Sequence, residues 1–382
     1  MKELIHGNPD LLISVVGIGG CGCNTIKMLQ QNDLANSVNL IAINTDLASL
    51  NSLQVENKIL IGEALTQGYG AGSNPEIGLQ AAQESEALLT NAIQGSDIVI
   101  ITAGFGGGTG TGASPLVARI ARELNINCLA IVTLPFESEG KVRMDFALQG
   151  IADIKDPIHA YITLSNDLLL QGLGESVGLF SAFNQSNEVL KNLLVSLVQM
   201  LTETGYVNVD KNDFSSILSY EGESILGVGK AETEELAFDA LDQALNNPLV
   251  SIAKIDTAKG IIFQLFCKSE PKLATYNGLI DHIREKISNK SVLIVPGVTL
   301  DPNLSSEIEI LIVASGIDEA KQNFNLDGNE QQTAQLACPH KENDYIDEEL
   351  TFVDSQLDYS DIPAITRKLM AMRALKEKEH SE

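Results

Sequence analysis

Long apolar runs and an excess of positive charge are both missing from this sequence. No apolar run approaches the roughly 20 residues that a membrane-spanning helix needs, and the opening residues, MKELIHGNPD, lack the apolar core of a secretory signal. Lys and Arg total 25 against 51 Asp and Glu, which gives a formal net charge of -26. Broad electrostatic attraction to DNA or RNA phosphates is therefore disfavoured. We expect a cytoplasmic protein with no membrane span and no nucleic-acid partner.

Aromatic residues make up only 5 % of the chain, and cysteine occurs at five positions: Cys21, Cys23, Cys128, Cys267 and Cys338. The number is odd, Cys21 and Cys23 are too close together for a zinc knuckle, and no histidine partner follows them. We predict reduced, mostly buried thiols and no metal held directly by protein ligands. With 382 residues, 44 % of them hydrophobic, the chain is long enough for two packed cores.

The first half of the sequence alternates short β-branched runs with helical stretches, which predicts an α/β fold with a doubly wound, mostly parallel sheet. Six such runs begin with LLISVVGIG at residue 11 and end with AYITLSN at residue 160. We expect helices over residues 75–92 and 114–124, and another from about Thr25. A long central helix is predicted over 179–203, where apolar residues recur at helical spacing. Strands and helices beyond it indicate a second, smaller α/β domain.

The apolar pattern stops near Asp318, and residues 321–356 are rich in Asn, Gln, Asp and Glu. Such a segment cannot bury enough surface to fold alone, so we predict a disordered linker, followed by a short basic C-terminal helix. The predicted organisation is a flexible N-terminus at 1–10, a first domain at 11–178, the central helix at 179–203, a second domain at 204–318, an acidic linker at 319–356 and a terminal peptide at 357–382.

The first glycine turn, GIGGCGCN at residues 17–24, lies between the first predicted strand and the helix after it. Glycine lets the backbone approach phosphate groups, and the N–H groups of a helix N-terminus supply partial positive charge without a lysine. Gly17, Gly19 and Gly22 fit the spacing G-x-G-x-x-G, and Asp46 stands where a ribose-binding acid would end the second strand. Alone, this turn suggests a dinucleotide-binding oxidoreductase, or only a tightly packed strand-to-helix connection.

The second glycine turn, GFGGGTGTG at residues 104–112, follows the fourth predicted strand. A dinucleotide-binding oxidoreductase has one phosphate turn at this point of its sheet. Two turns at the carboxyl ends of strands indicate one oligophosphate that is held from two sides. No lysine follows either turn, which argues against a P-loop.

The run GGGTGTG at residues 106–112 resembles the signature of the tubulin and FtsZ superfamily. The chain is similar to the bacterial FtsZ family of cell-division proteins from about Ile13 to Asp318, and again at residues 358–364, DYSDIPA. This resemblance implies a GTPase whose first domain is a Rossmann-like GTP-binding domain and whose second domain serves activation and assembly. It implies GTP or GDP as the ligand, with Mg²⁺ held through the nucleotide phosphates and water.

The resemblance also implies which residues bind GTP. They are Gly19, Gly20, Cys21, Gly22, Cys23, Asn24, Asn44, Asp46, Ala71, Gly72, Gly106, Gly107, Gly108, Thr109, Gly110, Thr111, Gly112, Glu139, Arg143, Asn166, Phe183, Asn187 and Glu188. Among them Phe183 is expected to stack on guanine, and Glu188 stands at the place where an acid reads the base. An acid suits that place because guanine offers two adjacent N–H donors to one carboxylate and adenine does not. Cys21 and Cys23 replace glycines of the family, and since cysteine tolerates positive φ poorly, we expect a tighter loop.

An acid loop, GYVNVDKND at residues 205–213, follows the long helix and contains Asn208, Asp210 and Asp213 at the spacing N-x-D-x-x-D. Two carboxylates one turn apart can polarise a water molecule, although Asn and Asp are also ordinary N-caps of a following helix. The resemblance implies that this loop enters the nucleotide pocket of a neighbouring subunit. It therefore implies a head-to-tail filament of this protein, assembly-dependent GTP hydrolysis, and a place in the cytokinetic ring at the mid-cell division site.

The run DYSDIPA resembles the peptide through which FtsZ binds membrane-tethering division proteins. Asp361, Ile362, Pro363, Ile365 and Leu369 are the expected partner-binding residues, since they can form an apolar stripe that folds on binding. One alternative stays open beside the oxidoreductase. It is a divergent paralogue that binds GTP and co-assembles or regulates without efficient turnover.

Overall fold

The computed structural model describes residues 11–31, 36–168, 179–220, 222–245, 255–289 and 291–317. The predicted N-terminus at 1–10, the linker at 319–356 and the terminal peptide at 357–382 with its partner-binding residues lie outside these ranges. Within the ranges, no helix combines the length and the apolar character needed to cross a bilayer.

Buried apolar strands form a six-stranded parallel sheet in the first half of the chain. The elements of this half are β1 (Ile13–Ile18), α1 (Gly19–Leu29), β2 (Asn39–Asn44), α2 (Leu47–Asn51), β3 (Asn57–Leu60), α3 (Glu63–Thr66), α4 (Pro75–Glu84), α5 (Glu86–Ile93), β4 (Ile98–Gly104), α6 (Thr109–Glu123), β5 (Asn127–Leu134), α7 (Lys141–Lys155) and β6 (Ala160–Ser165). The strand order is β3-β2-β1-β4-β5-β6. All six predicted strands are confirmed, and the central ones are buried on both faces because crossover helices cover each side.

A long helix, α8 (Leu179–Thr202), follows the first sheet and confirms the predicted central helix. Its Leu190, Leu194 and Leu197 are completely buried. They belong to one apolar cluster with Val15 of the first sheet and Phe266 of the second domain. The helix therefore contributes to a core that both domains share.

A four-stranded sheet organises the second domain. Its elements are α9 (Lys211–Leu218), β7 (Glu223–Ala231), α10 (Ala237–Leu245), β8 (Gly260–Cys267), α11 (Leu273–Lys286), β9 (Leu293–Leu300) and β10 (Ile308–Ile317). The strand order is β7-β10-β8-β9, with β10 antiparallel to β7 and β8, and β8 parallel to β9. This smaller α/β domain confirms the predicted class.

Two predicted helix starts are wrong. Helix α1 begins at Gly19 and not near Thr25, and α6 begins at Thr109 and not at Ser114, which places Pro115 inside the helix. Both helices therefore start within their glycine turns. Glycine allows the backbone to pack closely where these helices begin. The side-chain preferences on which the prediction relied do not indicate such a start.

Helix α4 packs closely against the backbone at the start of α6. A Cβ on Gly112 would lie 2.0 Å from the carbonyl oxygen of Pro75.

The helix expected over 75–92 is divided at Ser85, whose backbone (φ −107°, ψ 15°) leaves helical geometry. The Ser85 hydroxyl accepts a 3.0 Å hydrogen bond from the amide of Gly62, so a contact outside the helix accounts for the break.

Candidate functional site

The two glycine turns meet at the carboxyl edge of the six-stranded sheet. Strands β1 and β4 are parallel neighbours, and Ile18 pairs with Ala103 where they end. A Cβ on Gly19 (φ +73°) would lie 2.9 Å from the amide nitrogen of Gly110. One on Gly110 would lie 2.5 Å from the carbonyl oxygen of Gly104. Only glycine permits these backbones to approach so closely.

Helices α1 and α6 both present their N-termini at this edge. In the described part of the chain, neither helix has a side-chain cap or an acidic residue in its first turn. By contrast, Asp46 caps α2 and Asn74 caps α4. The free N–H groups and the positive ends of two helix dipoles therefore converge, which is the arrangement that binds phosphate groups.

Some glycines of the turns face open space and form a cradle. Among the described residues, a Cβ on Gly20 would meet no heavy atom within 4 Å, and one on Gly107 would meet only the Nη2 of Arg143, at 4.0 Å. Packing within the chain therefore does not require glycine at these positions. A methyl group there would enter the space in front of the helix N-termini, so the cradle fits a phosphate group brought close to the backbone.

The two cysteines of the first turn lie in helix α1. Among the described residues, the non-glycine positions with positive φ are Gln67, Ser73 and Asn125. Cys21 and Cys23 do not have positive φ, so the reason given for a tighter loop is wrong. Burial raises the pKa of Cys21, and it raises the pKa of Cys23 to about 12. Both thiols are neutral at pH 7 and add no negative charge to the cradle.

Two further loops close around the turns. The Asn44 side-chain oxygen accepts 2.9 Å and 3.3 Å hydrogen bonds from the amides of Thr45 and Asp46, and the hydroxyls of Thr45 and Thr109 share one of 2.7 Å. Asn44 and Asp46 therefore lie beside the second glycine turn and shape their own loop. A Cβ on Gly108 would lie 2.8 Å from the Cβ of Ala71, which places the loop of Ala71 and Gly72 against the same turn.

Arg143 brings a cation to the second turn. Its Nε donates a 3.3 Å hydrogen bond to the carbonyl oxygen of Gly106, and its guanidinium pairs with the carboxylate of Glu139. Glu139 in turn accepts a 2.9 Å hydrogen bond from the amide of Phe136. Glu139 and Arg143 thus lie together beside the cradle.

The first turns of α8 carry the residues expected to read the base. Phe183 is 38 % exposed and meets Phe136 edge to face, with ring centroids 5.0 Å apart. The Asn166 side-chain oxygen accepts a 2.7 Å hydrogen bond from Ser186. Glu188, next to Asn187, pairs with Lys191. An aromatic side chain and a carboxylate therefore lie on the first turns of α8, and Ser186 of the same helix holds the amide of Asn166.

Sequence reasoning assigned no role to Phe136, Ser186 and Thr133, and each of them contacts an expected site residue. The Thr133 hydroxyl lies 3.5 Å from the Sγ of Cys21. Ser186 directly precedes Asn187, and Phe136 lies three residues before Glu139, so closeness in sequence to residues that the resemblance named was the available signal. Their contacts depend on segments far apart in the chain, which the sequence does not reveal.

The acid loop is not brought together with the glycine turns. Asp210 and Asp213 cap α9 reciprocally, since the amide of Asp213 donates to the Asp210 carboxylate at 2.8 Å and that of Asp210 donates to Asp213 at 3.3 Å. Lys211 in the same loop bonds at 2.6 Å to Asp97, which directly precedes β4. The acid loop therefore lies at the amino edge of the sheet, whereas the second glycine turn starts at the carboxyl end of β4.

The length of β4 sets the separation. Its residues, Ile98–Gly104, span roughly 20 Å at about 3.3 Å per residue. Asn208 and Asp210 are exposed and Asp213 is half-buried. The acids can meet another molecule but not the glycine turns of their own chain.

Comparison with known proteins agrees with this architecture. A model described as the Tubulin/FtsZ family, GTPase domain, matches residues 12–174, and one described as the FtsZ family, C-terminal domain, matches residues 222–318. The cell division protein FtsZ of Buchnera aphidicola subsp. Baizongia pistaciae is 34 % identical over 96 % of this chain and 99 % of its own length. Cell division protein FtsZ 1 of Thermococcus kodakarensis is 38 % identical over 83 % of each chain.

Among solved structures, an FtsZ dimer of M. jannaschii superimposes with a TM-score of 0.74. It is 36 % identical, and the match covers 80 % of this chain and 88 % of that one. These matches favour neither the dinucleotide-binding oxidoreductase nor a regulator without efficient turnover. They imply that the ligand is a guanine nucleotide. The chain belongs to the FtsZ family of tubulin-like GTPases that act in cell division.

Proposed function

We propose that this GTPase polymerises head to tail into protofilaments and that GTP is hydrolysed at the interface between subunits. In this assembly the glycine turns of one subunit bind the nucleotide, and the acid loop of the next subunit completes the site. The filaments form the cytokinetic ring at the mid-cell division site, attached to membrane-tethering proteins through the terminal peptide that includes Asp361, Ile362, Pro363, Ile365 and Leu369.

The observation that carries the proposal is the placement of the two half-sites at opposite edges of one sheet. The glycine turns lie at the carboxyl edge, and Lys211 holds the acid loop at the amino edge through Asp97. A site split in this way is complete only where the carboxyl edge of one copy meets the amino edge of another. Such a contact is heterologous, and its repetition gives a filament when the rotation between copies does not close a ring. The FtsZ relative solved as a dimer supports self-association.

On the nucleotide side, the amides at the starts of α1 and α6 bind the phosphate chain, and Arg143 adds a positive charge beside Gly106. Phe183 stacks on the base, and the carboxylate of Glu188 accepts the N–H groups of guanine. Mg²⁺, held through the phosphates and water, would neutralise charge that develops during phosphoryl transfer.

On the acid side, Asp210 and Asp213 orient and polarise the attacking water, and Asn208 supports the loop through the 2.6 Å bond from the amide of Gly205. The reciprocal cap uses one oxygen of each carboxylate. Within the described residues the other oxygen of each has no protein partner, so it is free to accept a hydrogen bond from water.

The substitution Asp213→Asn tests this function, because an amide oxygen can still cap α9 but cannot act as a carboxylate. We expect Asp213→Asn to bind GTP and to assemble, with turnover lowered by about 100-fold or more, the usual contribution of a general base. The rate per molecule of the unaltered protein should rise with protein concentration. Asp281→Asn, in an exposed ion pair on α11, is the matched control. A turnover rate that is independent of protein concentration would contradict the shared site.

A further inference from the structure

Lys211 lies between the two acids of the acid loop, yet its ammonium group does not pair with either of them. It bonds to the carboxylate of Asp97 at 2.6 Å, and within the described part of the chain it forms no ion pair with Asp210 or Asp213. The one cation of the loop is therefore directed towards the GTPase domain of its own subunit and away from the carboxylates.

Asp97 is itself firmly placed. Its second carboxylate oxygen accepts a 2.9 Å hydrogen bond from the amide of Leu12, and its carbonyl oxygen accepts one of 3.3 Å from the amide of Asn127. The hydrogen bonds from Lys211 and Leu12 hold the pKa of Asp97 below its usual range, so it stays charged at neutral pH. A charged group fixed at the start of β4 thus faces the lysine.

A second contact runs beside this ion pair. The side-chain amide of Asn127, at the start of β5, donates a 2.6 Å hydrogen bond to Ser215, whose hydroxyl donates one of 2.7 Å to the carbonyl oxygen of Lys211. Strands β4 and β5 are adjacent, and Ile98 pairs with Asn127. The first two turns of α9 are therefore attached at two points, Lys211 and Ser215, to the amino edge of the GTPase sheet.

We propose that Lys211 is a positioning residue for hydrolysis, which Asp97 holds so that the acid loop keeps a fixed place on the GTPase domain and the carboxylates of Asp210 and Asp213 stay free of an intramolecular cation. This inference rests on the proposed function, because it assigns a task to the loop that acts in the neighbouring subunit. The chemistry itself stays with Asp210 and Asp213.

Because the Lys211–Asp97 ion pair is partly exposed, its effect on the position of the acid loop can be measured apart from its effect on stability. The Lys211 and Asp97 side chains are 39 % and 30 % exposed, and ion pairs of this kind contribute little to folding. Variants of the pair should therefore fold. Loss of Lys211 loosens the loop, whereas loss of the Asp97 charge also releases Lys211 to pair with the acids that it flanks.

The test compares Lys211→Gln, Asp97→Asn and the double variant, each as full-length protein above its assembly concentration. Asparagine at position 97 still accepts the hydrogen bond from Leu12. A misplacement of about 1 Å costs about 100-fold in rate. We expect kcat to fall by on the order of 10-fold in Lys211→Gln and 100-fold in Asp97→Asn, with KM for GTP unchanged.

The double variant shows whether the larger loss of kcat in Asp97→Asn arises because the released Lys211 pairs with the acids. Without the lysine there is nothing to neutralise the acids, so its kcat should return to that of Lys211→Gln. Lys211→Arg keeps the positive charge, so its kcat should be the closest of these variants to that of the unaltered protein. A double variant slower than both single variants, or an Asp97→Asn variant with unaltered kcat, would overturn the inference. A direct contact of Lys211 with phosphate predicts no loss in Asp97→Asn.

Asp213→Asn, measured in parallel, separates this inference from the proposed function. If Asp213→Asn turns over normally, the shared site is wrong and the role of Lys211 fails with it. If Asp213→Asn loses activity while Asp97→Asn keeps the kcat of the unaltered protein, only the positioning role is wrong. Asp281→Asn again controls for loss of an exposed ion pair.

Discussion

Two adjacent glycines of the first turn should respond to alanine in opposite ways. Gly19 has φ +73°, and a Cβ there would lie 2.9 Å from the amide nitrogen of Gly110. Left-handed backbone alone costs a residue with a Cβ about 1–2 kcal/mol, so Gly19→Ala should destabilise the protein by at least that much. Gly20 is helical, and within the part of the chain that the structure describes its Cβ would meet nothing within 4 Å. Gly20→Ala should therefore stabilise the protein by about 0.4–1 kcal/mol, through the lower entropy of the unfolded chain.

The same change at Gly20 should weaken nucleotide binding. Its methyl group would stand in the cradle and displace a phosphate oxygen from an amide donor. A hydrogen bond to a charged group contributes about 1.5–3 kcal/mol, which corresponds to a loss of about 10- to 150-fold in GTP affinity.

Denaturant unfolding without nucleotide measures the stability of each variant, and calorimetric titration with GTP measures affinity. The matched comparison is Gly95→Ala, which lies far from the turns, before β4. No heavy atom of the described residues would come within 4 Å of its Cβ, but its φ is +88°. Gly95→Ala should lose stability and keep GTP affinity. If Gly20→Ala bound GTP as well as the unaltered protein, the proposed placement of the phosphates against the start of α1 would be wrong.

Further substitutions test the base-reading residue, the second domain and the ion pair of the acid loop. Glu188→Gln should lower GTP affinity by about 1.5–3 kcal/mol and narrow the preference for GTP over ATP, as measured by competition binding. Gly229→Ala should destabilise the protein by at least about 2 kcal/mol in denaturant unfolding, because its Cβ would lie 1.8 Å from the carbonyl oxygen of Ala240. The folded pKa of Asp97 is lowered by Lys211, so the stability that Asp97 adds is present above its unfolded pKa and is lost as pH falls through the folded pKa. The stability difference between the unaltered protein and Asp97→Asn should therefore hold at neutral pH and shrink below about pH 4.

The strands of the first sheet were predictable because a strand buried on both faces must be apolar along its length. Strand β7 was not, since its sequence, ESILGVGKA, alternates branched residues with glycine. A Cβ on Gly227 would lie 1.9 Å from the carbonyl oxygen of Ala244, so α10 packs directly on the backbone of this strand. The requirement for glycine comes from a helix later in the chain, and no local pattern expresses it.

Some parts of the candidate site could likewise be predicted from the sequence, and others could not. The glycine turns could be located from the sequence because their composition is unusual. The contacts of Ser186 with Asn166 and of Lys211 with Asp97 join residues 20 and 114 positions apart. Only the fold brings these side chains together, and the pairing of Lys211 with Asp97 and not with its neighbouring acids is a property of the tertiary structure.

The distribution of acids among helix starts gives the proposed filament its direction. The chain carries a net charge of -26, yet the first turns of α1 and α6 contain no acid, while α9 has Asp210 as its N-cap and Asp213 in its first turn. The carboxyl edge of the sheet is thus the place where an anion is attracted, and the amino edge presents carboxylates. Two like edges would bring together either two nucleotides or two pairs of acids, and neither contact completes the split site. Only opposite edges place the acid pair beside the nucleotide, so the proposed site requires head-to-tail contacts and excludes a closed symmetric dimer.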